Sequence, residues 1–172
     1  MIQRTSVKLA VLLGAAALLS ACTPTMNWRK VPLGDVGFNL PCKPDSATRK
    51  QQIGAQTVSL DVTGCEAGGA LFAVSHVALA SAESHVGLQK AWQQQTLQSM
   101  RAHTVGAEAW APPPWGSHAK AMSATGTDPR GQVVKAHLIW FLRGQHLYHL
   151  AIYTPSLSPE WALTFTEDLT PL

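Results

Sequence analysis

Seven histidines and three cysteines are the residues of this 172-residue chain best suited to chemistry. Imidazoles ligate metals and move protons near neutral pH, so their spacing decides which chemistry is readable. His137, His146 and His149 fall on one predicted hairpin that turns at Gly144-Gln145. That turn sets Arg143 opposite His146, Phe141 opposite Tyr148 and Trp140 opposite His149. His146 and His149 then face opposite sides, because side chains alternate along a strand. His137 shares a side with His146, but sits six residues from Arg143, which is roughly 20 Å at about 3.3 Å per residue. No two of the three can hold an ion about 2 Å from each nitrogen. No HExxH spacing occurs, and no metal or cofactor is expected. Each histidine reads as structural or superficial, with His76 and His149 the best candidates for burial with a hydrogen bond.

Nucleophilic chemistry has no signature either. There is no Gly-x-Ser-x-Gly elbow and no glycine-rich phosphate loop. Cys65 would be a nucleophile only if unbridged. Glu167 and Asp168 point in different directions on a helix, so a carboxylate pair for glycoside hydrolysis is unsupported. No catalytic residue is assigned. Two segments are candidate binding elements. In one, Trp110 and Trp115 bracket Pro112-Pro113-Pro114, and such a loop can form an aromatic contact surface. The other is the exposed, cationic hairpin tip from Arg143 to His146. The competing readings are tryptophans folded back onto the core and a merely solvated turn.

The N-terminus carries a different chemistry. Arg4 and Lys8 precede an uncharged apolar run from Leu9 to Leu19. These are the basic and apolar regions of a secretory signal, too short for a stable transmembrane helix. Leu19-Ser20-Ala21-Cys22 follows, and it resembles the lipobox of bacterial lipoprotein precursors. The resemblance implies cleavage before Cys22, a diacylglycerol on its thiol and acylation of the new amine. It divides the chain into a signal peptide over 1–21, a lipidated cysteine and tether over 22–30, and one domain over 31–172. Stable residence at a membrane needs more than one acyl chain, which full lipidation of Cys22 supplies. The implied partner is the membrane itself, and the implied location is the cell envelope, facing the periplasm. Thr23 in place of Asp implies sorting to the outer membrane. The plain alternative is a buried Cys22 thiol in an N-terminal helix. Extended, the tether reaches only about 20–30 Å, so the domain stays close to the lipid.

In that compartment Cys42 and Cys65 form an even pair where disulfides persist, and a bridge between them is expected. Two free thiols or a redox pair are the alternatives, although no Cys-x-x-Cys spacing supports the latter. The chain holds 13 Lys and Arg against 10 Asp and Glu. Arg4 and Lys8 leave with the signal, so the mature balance is close to neutral. With no basic run, nucleic acid is excluded as a partner. Charged residues are 13% of the chain, against about 25% in ordinary globular proteins. Together with six tryptophans, that suits a mildly apolar surface.

Several elements must position these groups. Val36 to Leu40 is a short apolar segment ended by Pro41. Ser46 to Ile53 and Gln56 to Thr63 flank Gly54-Ala55, and Val58, Leu60 and Val62 alternate with polar neighbours as in a half-buried strand. Gly68-Gly69 turns the chain into Ala70 to Leu79, apolar on both faces and so interior to a sheet. Ser84 to His103 is the best helix, with Leu88, Trp92, Thr96 and Met100 at four-residue spacing and Ser84 as N-cap. Val105 to Ala111 and His118 to Gly126 read as strands, separated by a polyproline-like stretch. Asp128-Pro129-Arg130-Gly131 is a turn. Gln132 to Arg143 and Gln145 to Thr154 form the strongest hairpin, with Gly144 suited to a type II′ turn. Ser158-Pro159-Glu160 starts a last helix that buries Trp161 and Phe165.

The pattern is β-β-β-β-α-β-β-β-β-α, an α+β domain with a mostly antiparallel sheet and helices packed on it. Gly37-Phe38-Asn39-Leu40-Pro41 with Pro44, the central helix, the Leu147-Tyr148-His149-Leu150 strand and the terminal helix at Trp161 and Phe165 resemble the PsbP/Mog1-like sandwich. Members of that fold are mainly adaptors and assembly factors, so the resemblance implies a binding role. The expected function is a lipid-anchored envelope module that binds or scaffolds another envelope protein. An envelope hydrolase and a small-ligand carrier are the alternatives. An enzyme needs convergent polar groups in a concavity, a carrier needs a pocket between helix and sheet, and a scaffold needs an exposed apolar patch.

Overall fold

The computed structural model describes residues 25–81 and 84–172. The signal peptide, Cys22 and Thr23 lie outside the described residues. The chain enters the fold through a hairpin of β1 (Arg29–Leu33) and β2 (Val36–Leu40). A nine-residue strand β3 (Asp45–Ile53) then leads into β4 (Gln56–Ala67) and β5 (Ala70–Ala78). Gly54-Ala55 and Gly68-Gly69 make the two turns, and the facing pairs Ile53 with Gln56 and Ala67 with Ala70 close them. Helix α1 (His85–Ser99) crosses over before β6 (Thr104–Glu108) and β7 (Ser117–Thr127). The long hairpin of β8 (Val133–Arg143) and β9 (His146–Thr154) follows, then α2 (Pro159–Thr166) and the two-residue β10 (Thr170–Pro171).

The expected α+β class with antiparallel strands is what the chain adopts. Seven strands form one sheet in the order β3-β4-β5-β9-β8-β7-β6, every pair antiparallel. Helix α1 covers one face through Leu88 and Trp92, over Leu60, Val77, Trp140 and Leu147. The other face carries Phe72, Val74, Ile139, Phe141 and Tyr148. It is covered by α2, through Phe165, and by a second sheet of order β1-β2-β10. With both faces covered, every residue from Leu147 to Ile152 is buried. At about 25 cal/mol per Å² of apolar surface, these central strands contribute the largest share of hydrophobic stabilisation.

The long hairpin turns where its sequence places it. Arg143 faces His146, Phe141 faces Tyr148 and Trp140 faces His149. Gly144 has φ +54° while Gln145 stays at negative φ, the demand of a type II′ turn. The Asp128 turn also forms, with the Asp128 carboxylate accepting the amides of Arg130 and Gln132.

Four readings need correction. β1 begins at Arg29 and the Asn27 amide donates to the Pro41 carbonyl, so the fold takes in the end of the segment read as tether and starts before Val31. β1 and β10 escape the periodicity: β1 carries two cations and Pro32 on the edge of the small sheet, where a missing N–H is tolerated, and β10 is too short to alternate. The helix ends at Ser99, not His103. Arg101 adopts φ +47°, its amide donates to Gln98 and that of Ala102 to Leu97, a Schellman closure. Ser84 stands at the N-cap without a capping bond, its hydroxyl donating instead to the Ser81 carbonyl. In α2, Phe165 is buried but Trp161 is half-buried against Phe72.

Candidate functional site

Alternation and register assemble a row of polar side chains across the face opposite α1. Thr48 faces Asp61, Asp61 faces His76, His76 faces Tyr148 and Tyr148 faces Phe141, so one line crosses β3, β4, β5, β9 and β8. His146 and Arg143 lie one step further along that face. Neighbouring side chains on such a line are close enough to bond directly. Thr48 Oγ1 donates to Asp61 Oδ1 at 2.6 Å, and Asp61 Oδ2 lies 3.2 Å from His76 Nδ1. His76 Nε2 lies 2.7 Å from His146 Nδ1, with the rings stacked. One proton satisfies each contact: His76 donates from Nδ1 to Asp61 and accepts at Nε2 from His146.

The β1–β2 turn closes this row from above. Asp35 accepts the Tyr148 hydroxyl at 2.5 Å on Oδ1 and Arg143 Nε at 3.0 Å on Oδ2, and its carbonyl accepts a second bond from Arg143. Gly34 before it has φ +58°, and a Cβ there would sit 2.4 Å from the Tyr148 hydroxyl. Both the backbone sign and the space demand glycine. Arg143 also lies 4.9 Å over the Trp115 ring, a cation–π contact.

Burial sets the proton affinities. It holds the His76 imidazole below its usual pKa against the pull of Asp61. The Thr48 bond, reinforced by His76, holds the Asp61 carboxyl below its usual value. Burial, then the Asp35 bond, pushes the Tyr148 phenol up. Tyr148 has no exposed surface, so Tyr148→Phe strands both Asp35 Oδ1 and the Asp35 amide that bonds the phenol oxygen. A loss of about 1–3 kcal/mol is expected, read as a shifted urea midpoint at unchanged slope.

Chemically, Asp61 and His76 resemble the orienting half of a nucleophile–base–acid relay, but the outer nitrogen of His76 faces a second imidazole. Of the residues proposed for binding, Arg143, His146 and Trp115 converge on this cluster. The hairpin tip is thereby tied into the fold and is not a free solvated turn. Trp110 and Trp115 both fold back onto Phe141, at 5.7 and 6.2 Å between rings, and the proline loop turns sharply, the Gly116 amide donating to the Pro113 carbonyl. The histidine pairing joins two hairpins, so the spacing within the His137–His149 hairpin does not contain it. The interior character of β5 was the available signal that His76 would meet β9. His85 and His118 also adjoin, at 4.2 Å between rings, and His137 pairs with Glu108 at 2.5 Å. Among the described residues no group of three or more His, Cys, Asp or Glu side chains is placed to hold a metal ion. None of the described helices is long and apolar enough to cross a membrane.

A second site lies on the other face, between α1 and the β3-β4-β5-β9 half of the sheet. It is a cleft of about 300 Å³. Val62 faces Ser75 and Ser75 faces His149, and these three form part of its wall, with Trp92 and Thr96 from the helix and Tyr153 from β9. His149 is buried and stacked flat on Trp140 at 4.2 Å. The expected hydrogen bond is absent at its Nε2, which has no partner among the described residues, and the neighbouring Trp140 Nε1 has none there either. Burial pushes the His149 imidazole down to about 3 and the Tyr153 phenol up to about 12.

Cys42 and Cys65 lie at disulfide distance, sulfurs 2.01 Å and Cα atoms 5.9 Å apart. Cys65 is thus bonded and unavailable as a nucleophile. Comparison of the chain with protein-family models, curated proteins and solved structures finds no match.

Proposed function

We propose that this chain is a lipid-anchored envelope protein whose single domain works by binding a small ligand in the cleft beneath α1. The observation that carries the reading is a concavity of about 300 Å³ whose apolar wall of Ile53, Leu60, Val62 and Trp92 also brings together Arg49, Ser75, Thr96 and Tyr153. Ligand pockets combine apolar walls with a few convergent polar groups at about this volume and above. Two further features favour binding a small molecule over scaffolding or catalysis. The exposed large apolar residues Leu71, Val86, Val105, Val133, Leu163 and Leu172 are spread over five elements and the chain end. The Asp61–His76 pair spends its outer nitrogen on His146. The PsbP/Mog1-like resemblance is kept as part of the proposal and rests on the sequence features given above.

Lipidation at Cys22 and outer-membrane residence through Thr23 rest on the lipobox resemblance. Labelled palmitate is expected to enter the wild-type protein and not Cys22→Ala; equal labelling of both removes the anchor. For the binding function, protein purified from envelopes is compared by native mass spectrometry with Ala73→Phe, which fills the cleft. A small-molecule adduct on wild type alone, with both proteins melting alike, supports the reading. Equal adducts on both, or none on either, overturn it.

A further inference from the structure

The cleft that carries the binding proposal also specifies the charge of its ligand. Arg49, Gln51 and Gln95 line it beside Ile53, Leu60, Val62 and Trp92. Arg49 is the one formal charge among the described residues of its wall, to which no described Asp or Glu contributes. Arg49 is exposed and forms no ion pair with a described residue. The guanidinium is therefore free to pair with an anion, and its planar fork matches a carboxylate. Across the sheet, β3 and β9 stand three strand spacings apart, about 14 Å between backbones. Arg49 lies toward one end of that distance, and the Ser75–His149 row toward the other. Between them the floor is aliphatic, through Leu60 and Val62, with Trp92 packed over it.

We propose that the cleft takes a small organic monoanion, a carboxylate with an apolar or aromatic body. Its carboxylate pairs with Arg49, its body lies on Leu60 and Val62 against Trp92, and a hydrogen-bonding atom at its far end meets Ser75. This rests on the cleft being the binding site and adds its chemical class. Binding of a dianion or a cation is disfavoured by the same wall, which offers one positive charge and nothing to match a second or an opposite one.

The probes are cinnamate, 4-hydroxycinnamate and uncharged cinnamamide, titrated into the purified domain with amide chemical shifts as the readout. Cinnamate should bind at least ten-fold more tightly than cinnamamide, with shifts at Leu60, Ser75, Thr96 and His149. The added hydroxyl should tighten binding further. Arg49→Gln, a surface change that leaves the fold intact, should abolish the preference for the acid without altering cinnamamide. If cinnamamide and cinnamate shift the cleft residues with equal affinity, the anion assignment is wrong while the cleft stands. If probes bind with shifts confined to other surfaces, or if none binds, the assignment fails outright; the mass-spectrometric comparison with Ala73→Phe then decides separately whether the cleft reading survives.

Discussion

At pH 4 the domain is expected to be less stable than at pH 7 by about 3 kcal/mol through His149 alone. The imidazole is buried against Trp140, and burial lowers its pKa to about 3. The unfolded chain exposes it near its ordinary value of about 6.5. The unfolded state thus binds a proton across a window in which the folded state refuses it, and stability rises with pH wherever that holds. The contribution is complete above about pH 6.5 and is lost as the pH falls from there toward 3. His76, also held low by burial, acts in the same direction. Asp61, Asp128 and Asp168, lowered chiefly by hydrogen bonds, add their loss lower down, below about pH 4. Urea denaturation at pH 7, 5.5 and 4 measures the slope. His149→Phe keeps a flat ring against Trp140 and cannot take the proton, so it should flatten the slope between pH 6.5 and 4. Parallel pH profiles for wild type and variant would sink the assignment.

Removing the Cys42–Cys65 bridge is the other change of comparable size. The bond joins the segment just after β2 to β4 and spans 23 positions of sequence. It ties the small sheet, β1-β2-β10, to the large one. Releasing a loop of that length frees the unfolded chain and costs about 3 kcal/mol in the chain-entropy account. Cys65 also packs, half-buried, against the core beside Phe72. Double replacement Cys42→Ala with Cys65→Ala avoids stranding a thiol there and isolates the cross-link. Its urea midpoint should match that of the reduced wild type and fall well below that of the oxidised protein. Equal midpoints with and without reductant would show that the bridge contributes nothing.

Much of the architecture was legible in one dimension. Strict alternation from Gln56 to Thr63, the Gly68-Gly69 turn and Gly144 at the long hairpin located strands and registers, because these depend on neighbours within a few residues. The four-residue stripe of Leu88, Trp92 and Thr96 located α1 for the same reason. Its end was misread because the Schellman closure needs Arg101 in a left-handed conformation, which nothing in an arginine announces.

What the sequence determined alone was therefore local: most of the secondary elements, though not β1, β10 or the end of α1, the paired cysteines and the side each residue of a strand would face. The tertiary structure decided which sides meet. His76 and His146 are 70 residues apart and touch only because β5 chooses β9 as its neighbour. The cleft exists only because α1 lies on the face that carries His149. Such long-range pairings follow from how both faces of a sheet are best buried at once, a property of the whole chain that no short window contains.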